Sequence, residues 1–261
     1  MRRDTVGGTI LVAAVLCVVC SIIVSSAAVL LRPLQEENAL LDKQRNVLAA
    51  AGLLEVGDTP AQVSEKFKKV ELQIVNLETG QIASEEEIDR ATFDQADSRG
   101  DSSLNRAIPS GALPGYSYVE KYSEVYLVKS DDGTLQQVVL PVYGKGLWST
   151  MEGFVALESD LQTAKGMTFY SHGETPGLGG EVDNPNWKAQ WPGTKLLDEE
   201  GNVLVQVRKA GTVNDEETQV DGLSGATITT VGVNGFVRFW LGEYGFGPFI
   251  ENLKNQENSR G

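Results

Sequence analysis

The chain is poor in the residue types that most often carry catalysis or bind metals. Its 261 residues include one histidine, His172, and two cysteines, Cys17 and Cys20. A single imidazole excludes zinc sites with several histidine ligands and relays of histidines. Both cysteines lie in an apolar segment, so the remainder can form neither a disulfide nor a thiolate metal site. We interpret this pair as small apolar residues of a membrane helix.

Positive charge is also scarce, since 22 Lys and Arg residues face 36 Asp and Glu residues, giving a net charge of −14. An acidic chain of this kind argues against nucleic-acid binding, which needs clustered Lys and Arg. No strand is followed by the GxGxxG pattern of a dinucleotide site. The chain has no GxSxG elbow and no histidine for a triad besides His172, which disfavours a secreted hydrolase.

Charged side chains are missing altogether from residues 5–31. This mostly apolar run exceeds the ~20 residues that span a bilayer core. Arg2 and Arg3 precede it, which favours a cytoplasmic N-terminus and an exported acidic body. A signal peptide cleaved near Ser25 to Ala27 is the alternative, but the length of the run favours an uncleaved anchor. We therefore expect a single-pass protein of a bacterial inner membrane with its main domain in the periplasm.

Periodicity beyond the anchor predicts an α+β fold, an antiparallel sheet with helices on one side. Expected segments are 1–32 (cytoplasmic end and membrane helix), 33–115 (mixed, with a polar insertion), 116–250 (the main domain) and 251–261 (a polar tail, expected to fray). Residues 84–110 are interpreted as a surface excursion with one short helix. Helices are predicted after Pro33, at 61–69 and at 228–241; strands at 72–77, 125–128, 135–140, 153–157, 167–170 and 203–207; and a turn at 144–146.

Three stretches contain more glycine than packing requires. They are GKGLWS at 144–149, SHGETPGLGGE at 171–181 and DGLSGATIT at 221–229. In the third stretch, small and hydroxyl residues precede a helix. A helix N-terminus presents free N–H groups that favour a phosphate, and Thr227 would offer a hydroxyl there. The alternative is an ordinary N-cap formed by Ser224 or Thr227.

The first two stretches also allow two interpretations. Pro176 and Gly177 fit a type II turn, and the glycines around them are typical of loops. The same loop exposes backbone groups that can bind the edge of a planar heterocycle, with Leu178 against its face. Trp148 could stack on a flat ligand, although an isolated tryptophan more often belongs to a core.

The three motifs GKGLW, HGETPGLGGE and DGLSGATITT, in this order behind one membrane segment, resemble the FMN-binding domain family. The resemblance implies that Thr227 carries FMN through a phosphoester bond. It further implies that a flavin transferase installs FMN from FAD and reads Asp221 and Gly222. The other flavin-binding residues that it implies are Ser224, Gly225, Ala226, Glu174, Thr175, Gly177, Leu178, Gly179 and Trp148.

By this resemblance the chain is a covalently flavinylated electron-transfer subunit of a membrane Na+-translocating NADH:quinone oxidoreductase. It is not catalytic alone, because NADH oxidation, ion translocation and quinone reduction belong to other subunits. His172 is interpreted as a structural residue, since an electron carrier needs no dedicated acid or base. Two alternatives stay open: the flavin subunit of the related ferredoxin-linked complex, and a non-catalytic membrane-anchored binding module.

Overall fold

The computed structural model describes residues 5–90 and 92–260. The chain divides into two compact units, residues 1–43 and 44–261. The first unit consists of the greater part of helix α1, Val6–Ala50, whose apolar portion is exposed and long enough to cross a membrane. Pro33 lies inside α1, so the apolar segment and the helix predicted after Pro33 form one continuous helix.

The second unit is built on a six-stranded sheet in which every neighbouring pair is antiparallel. The α+β class predicted from the sequence is therefore confirmed. The strands are β1 Val70–Asn76, β2 Gln81–Ile82, β3 Asn105–Ala107, β4 Tyr118–Glu120, β5 Tyr122–Lys129, β6 Leu135–Lys145, β7 Thr150–Glu158, β8 Ala164–Ser171, β9 Gln206–Val207 and β10 Gln219–Val220. The sheet order is β2-β1-β5-β6-β7-β8, while β3 with β4 and β9 with β10 form two small separate sheets.

Five further helices accompany the strands in the described residues. They are α2 Pro60–Phe67, α3 Gln95–Ser98, α4 Pro185–Lys188, α5 Thr227–Leu241 and α6 Gly247–Arg260. Thr59 caps α2 in a capping box with Gln62, and Pro60 occupies its first turn, which is why that helix begins there.

Helix α5 covers one face of the sheet. The ring of Phe236 packs edge-on against Phe169 of β8, and the indole N–H of Trp240 donates to the Tyr143 carbonyl of β6 at 2.7 Å. A third contact is made in the middle of the helix, where the Asn234 amide oxygen accepts the N–H of Val207 in β9 at 2.9 Å. These contacts fix how α5 is rotated on the sheet.

The opposite face is covered too, so the expectation of helices on one side is wrong. Phe67 of α2 packs against Tyr126 of β5, which packs in turn against Phe154 of β7. Phe154 pairs with Thr168, whose neighbour Phe169 faces α5, so these rings lie on the other face of the sheet. The last residues of α1 belong to this layer, where Val47, Leu48 and Ala50 are buried. Burial on both faces explains why the central strands read as nearly continuous apolar runs.

Residues 84–110 are more than a surface excursion. Gln95 and Ser98 of α3 are buried, and the Gln95 amide nitrogen donates to the carboxylate of Glu120 at 2.8 Å. The Arg99 guanidinium contacts Glu152 at 2.5 Å and lies over the ring of Tyr143. The predicted short helix is present as α3, but its surroundings attach this segment to the sheet.

Three local expectations need correction. Residues after Pro248 do not fray but form α6, because Phe249, Ile250 and Leu253 are buried beside the sheet. Gly144 and Lys145 belong to β6, and the turn comes one step later, closed by the Gly146 N–H on the Ser149 carbonyl. Of the strand predicted at 203–207, only Gln206–Val207 is a strand.

Candidate functional site

The three glycine-rich stretches meet around the carboxylate of Glu174, which is 5% exposed. Its Oε1 accepts hydrogen bonds from the backbone N–H groups of Leu147 and Trp148, both at 3.0 Å. Its Oε2 accepts the hydroxyl of Thr229 in the first turn of α5. One buried side chain thus joins the turn after β6, the loop after β8 and the start of α5.

Helix α5 begins without a side-chain cap. Ala226 is the N-cap residue, and among the described residues no side chain caps it. The alternative of Ser224 or Thr227 as an N-cap is therefore wrong. Thr227 is the first helical residue and is exposed, as are Ser224 and Gly225, the latter with a positive φ of 74°. The N–H groups of a first helical turn have no intrahelical acceptor, so this end can bind an anion.

Large apolar side chains stand in solvent around this helix end. Trp148 is 70% exposed, which excludes the core position that an isolated tryptophan would suggest. Leu178 lies close to Gly225, since a Cβ built there would be 3.1 Å from a Leu178 methyl. We use the name apolar rim for five exposed side chains at the three stretches: Leu147, Trp148, Leu178, Ile228 and Val231.

Sequence reasoning missed part of the rim. Helical spacing puts Ile228 and Val231 near one face of this helix together with Gly235, Phe239 and Trp240, yet Val231 is 64% exposed. The same spacing agrees with the later turns of α5, where Phe239 and Trp240 are buried. A signal was present in the sequence, because an apolar first turn directly after SGAT has no reason to be apolar on its outer side unless something covers it.

The loop after β8 forms the expected turn. The Leu178 N–H donates to the Thr175 carbonyl at 3.1 Å, and Gly177 has a φ of 78°, as a type II turn with Pro176 at its second position requires. Thr175, Gly177 and Leu178 are exposed, while Gly179 is buried against Glu174. The turn interpretation and the ligand-binding interpretation are compatible, because the turn leaves these residues at the surface.

His172 is engaged through both ring nitrogens. Its Nε2 lies 2.8 Å from the Asp183 carboxylate, and its Nδ1 accepts the backbone N–H of Glu174 at 3.2 Å. Lys188 contacts the same Asp183 carboxylate at 3.3 Å. The ring therefore stabilises the loop that carries Glu174, in agreement with the structural interpretation of this residue.

Asp221 and Gly222 lie behind the helix start. The Asp221 carboxylate accepts the Gly211 N–H at 2.7 Å, and its backbone carbonyl accepts the indole N–H of Trp187. Gly222 is buried against the Arg208 carbonyl. Neither residue lies among the exposed side chains of the rim. Within the described residues, no group of His, Cys, Asp or Glu side chains is arranged to hold a metal ion.

Comparison with known proteins matches the chain to one family. Residues 146–242 match the FMN-binding domain family. The crystal structure of Shewanella oneidensis NqrC is similar, with a TM-score of 0.74 and 34% identity, covering 85% of this chain and 99% of that one. The crystal structure of the corresponding Na(+)-translocating NADH-quinone reductase protein from Parabacteroides distasonis has a TM-score of 0.62 and 25% identity, covering 86% and 96%.

Sequence relatives match over nearly the full length. The NqrC protein of the Na(+)-translocating NADH-quinone reductase of Pseudomonas aeruginosa is 46% identical, covering 98% of this chain and 99% of the relative. Its counterpart of the same name from Yersinia pestis is 43% identical, covering 97% and 95%. Identity at this level along both chains is sufficient to conclude that this chain belongs to the NqrC family of Na(+)-translocating NADH-quinone reductase proteins.

Proposed function

We propose that this chain is the flavin-carrying electron-transfer subunit of a membrane Na+-translocating NADH:quinone oxidoreductase, with FMN joined to Thr227 by a phosphoester. The observation that carries the proposal is the exposed hydroxyl of Thr227 on the uncapped first turn of α5, inside the segment that matches the FMN-binding domain family. The complex in this proposal is taken from the names of the relatives, which are proteins of a Na(+)-translocating NADH-quinone reductase.

The residues at the helix end fit a phosphate. A phosphoester on Thr227 would place the anionic group beside the unpaired N–H donors of the first turn and the positive end of the helix dipole. Ser224 and Gly225 are exposed next to it, and Ala226 turns the chain into the helix. No acidic side chain occupies the first turn of α5.

The rim fits the flat, largely apolar ring of a flavin. Trp148 and Leu178 offer faces against which a ring can pack, and Thr175, Gly177 and Gly179 supply backbone groups. When bound, FMN supplies reversible uptake and release of electrons. The chain holds the group by its phosphate end, packs the rim against part of the ring and leaves an open side to redox partners.

Proton transfer needs no dedicated side chain at this site. Both nitrogens of His172 already have partners in the loop, and the rim is open to solvent. NADH oxidation, sodium translocation and quinone reduction are assigned to other subunits of the complex. This division agrees with a sequence that has no GxGxxG motif.

The attachment is assigned to a flavin transferase that uses FAD as donor and reads Asp221 and Gly222 in front of SGAT.

We place the second unit on the periplasmic side of a bacterial inner membrane, with α1 as a single-pass anchor and the N-terminus in the cytoplasm. A covalent bond suits this location, because a lost cofactor would diffuse away from the membrane.

Intact mass and in-gel flavin fluorescence after denaturing electrophoresis test the proposal. The wild type and Thr227→Ala would be expressed with and without a flavin transferase. We expect a fluorescent band and a mass increase of one FMN minus water only in the wild type with transferase. Thr212→Ala, an exposed threonine on a neighbouring loop, is the matched control and should be modified normally.

Two outcomes would refute the assignment. An adduct that persists in Thr227→Ala would place the attachment elsewhere. No adduct in any sample, with the transferase active on another substrate, would favour the binding module. Isolation of the chain with ferredoxin-linked rather than NADH-linked subunits would instead favour the related complex.

A further inference from the structure

We infer that Glu174 is the positioning residue of the flavin site, one that holds the apolar rim in place before any cofactor is attached. The inference rests on the proposed function, which assigns the rim to the flavin ring. The family resemblance suggested Glu174 as a ring contact. Its two oxygens accept three protein donors instead, so its effect on the ring passes through Trp148 and Thr229.

The hydrogen bonds of Glu174 join segments that are distant in the sequence. Leu147 and Trp148 precede it by 27 and 26 residues, and Thr229 follows it by 55. Charge-assisted hydrogen bonds of a carboxylate are roughly twice as strong as neutral ones. At 5% exposure water competes little for this carboxylate, so the three bonds hold the segments together at one point.

Space around the carboxylate is made by glycine. A Cβ on Gly146 would lie 2.5 Å from Oε1, and a Cβ on Gly179 would lie 2.5 Å from Oε2. Both distances are too short for a carbon next to an oxygen. Glycine at these two positions of the GKGLW and TPGLGG motifs is therefore explained by the side chain of Glu174, together with Met151 at Gly146 and Thr229 at Gly179.

The position of the rim residues depends on the Glu174 carboxylate because their side chains make little packing contact. Leu147 and Trp148 are exposed, so packing alone does not fix them. Their backbone N–H groups are fixed by Oε1, and that fixes where their side chains leave the chain. Thr229 lies two residues after Thr227. Its bond to Oε2 therefore fixes the start of α5 relative to Leu147 and Trp148, which are bound to Oε1. A binding site that is ordered in advance loses less entropy when its ligand arrives.

Amide hydrogen exchange in the cofactor-free full-length protein tests the inference directly. In the wild type we expect slow exchange at the N–H groups of Leu147 and Trp148, despite their exposed side chains. Glu174→Ala should accelerate both by at least tenfold. Glu174→Asp is the milder variant: it keeps the charge, but its shorter side chain cannot reach all three donors, so it should also lose protection. It decides the result if Glu174→Ala does not fold.

Rescue by Glu174→Gln separates hydrogen bonding from charge. The amide oxygen can accept both N–H groups, and the amide nitrogen can donate to the Thr229 hydroxyl. We therefore expect protection in this variant that is well above that of Glu174→Ala, although below that given by the charged carboxylate. Glu181→Ala is the matched control in the same loop, because among the described residues the Glu181 carboxylate bonds only to the nearby Asn184 amide, and it should leave both amides protected.

The flavin provides a second readout. Thr227 is intact in every variant, so each should still carry the adduct, but Glu174→Ala and Glu174→Asp should show altered flavin fluorescence and a shifted visible band. Protected amides in Glu174→Asp, or unprotected amides in Glu174→Gln, would overturn the inference. A wild type without adduct would refute the proposed function alone, because the exchange experiment needs no flavin.

Discussion

The indole N–H of Trp187 donates a hydrogen bond to the backbone carbonyl of Asp221 at 2.9 Å. Trp187 lies in α4, which follows the TPGLGG loop, and Asp221 is the first residue of the DGLSGAT stretch. Both groups are shielded, since Trp187 is buried in contact with the rings of Phe169 and Trp191. This bond therefore connects α4 to the segment that leads into α5.

Replacing Trp187 with phenylalanine should lower the free energy of unfolding by about 1–3 kcal/mol for the unpaired carbonyl, with some further loss of packing. Urea denaturation of both proteins measures the difference. Trp148→Phe, which changes an exposed indole, should stay within about 0.5 kcal/mol of the wild type. Equal unfolding midpoints for Trp187→Phe and the wild type would contradict a stabilising role for this bond.

Neighbouring threonines of α5 should differ sharply in their effect on stability. Thr230 is buried, and its hydroxyl accepts the Leu223 N–H at 3.0 Å. Thr230→Val leaves that donor unpaired and should lower the free energy of unfolding by about 1–3 kcal/mol. Thr227→Ala removes an exposed hydroxyl that caps nothing and should change it by less than about 0.5 kcal/mol. A large loss of stability in Thr227→Ala would show that this hydroxyl is structural.

Removal of the Arg99 guanidinium should be among the most destabilising changes in the chain. Arg99→Met leaves the buried carboxylate of Glu120 and that of Glu152 without their cation, which costs about 3–5 kcal/mol. Arg90→Met is the comparison in the same segment, because Arg90 pairs with the exposed Glu85 and donates to the Ala83 carbonyl, which together contribute about 1–2 kcal/mol. Chemical denaturation of the two variants should separate them clearly, and equal losses would mean that residues 84–110 are not attached through Arg99.

Two buried tyrosines predict a loss of stability in alkali. Burial, reinforced by the neighbouring carboxylates Glu124 and Glu120, raises the pKa of Tyr126 and of Tyr143 above the usual range. An unfolded tyrosine ionises near pH 10, so the folded state retains protons that the unfolded state loses. Stability should be fully present below about pH 10 and fall as the pH rises further, by about 1.4 kcal/mol per pH unit for each tyrosine.

Urea midpoints measured between pH 8 and pH 11 give this slope, and absorbance near 295 nm reports tyrosine ionisation in the same samples. Tyr143→Phe removes one of the tyrosines with a raised pKa and should reduce the slope above pH 10. A slope that is unchanged in this variant would show that Tyr143 is not responsible. Constant stability up to pH 11 in the wild type would contradict the pKa direction for both residues.

Local patterns in the sequence predicted the central strands well. The β5 and β6 hairpin follows from two apolar runs around Ser130 to Gly133, where the Gly133 N–H closes the turn on the Ser130 carbonyl. Such a turn needs only the residues within it. Helix α6 was missed for the opposite reason, because its sequence is mostly polar and only tertiary contacts of Phe249, Ile250 and Leu253 bury it.

The geometry of the candidate site was only partly readable. The motifs identified the three stretches, but nothing in their spacing shows that one carboxylate joins them. The burial of Arg99 was equally hidden, since Glu152 lies 53 residues away. The exposure of Val231 contradicts its helical pattern because periodicity reports which side of a helix is apolar and not what covers it.

Two hydrogen bonds fix the rotation of α5: the Asn234 amide oxygen accepts the Val207 N–H, and the Trp240 indole donates to the Tyr143 carbonyl. This fixed orientation has a consequence for electron transfer. Thr227 begins this helix, so a group attached there moves with the folded body and has the reach of one threonine side chain and its own linker. A cofactor on a long, flexible arm visits its partners in turn. A cofactor joined to Thr227, as proposed above, would therefore meet its redox partners only when the folded bodies dock against each other, and the rate of docking would limit electron transfer.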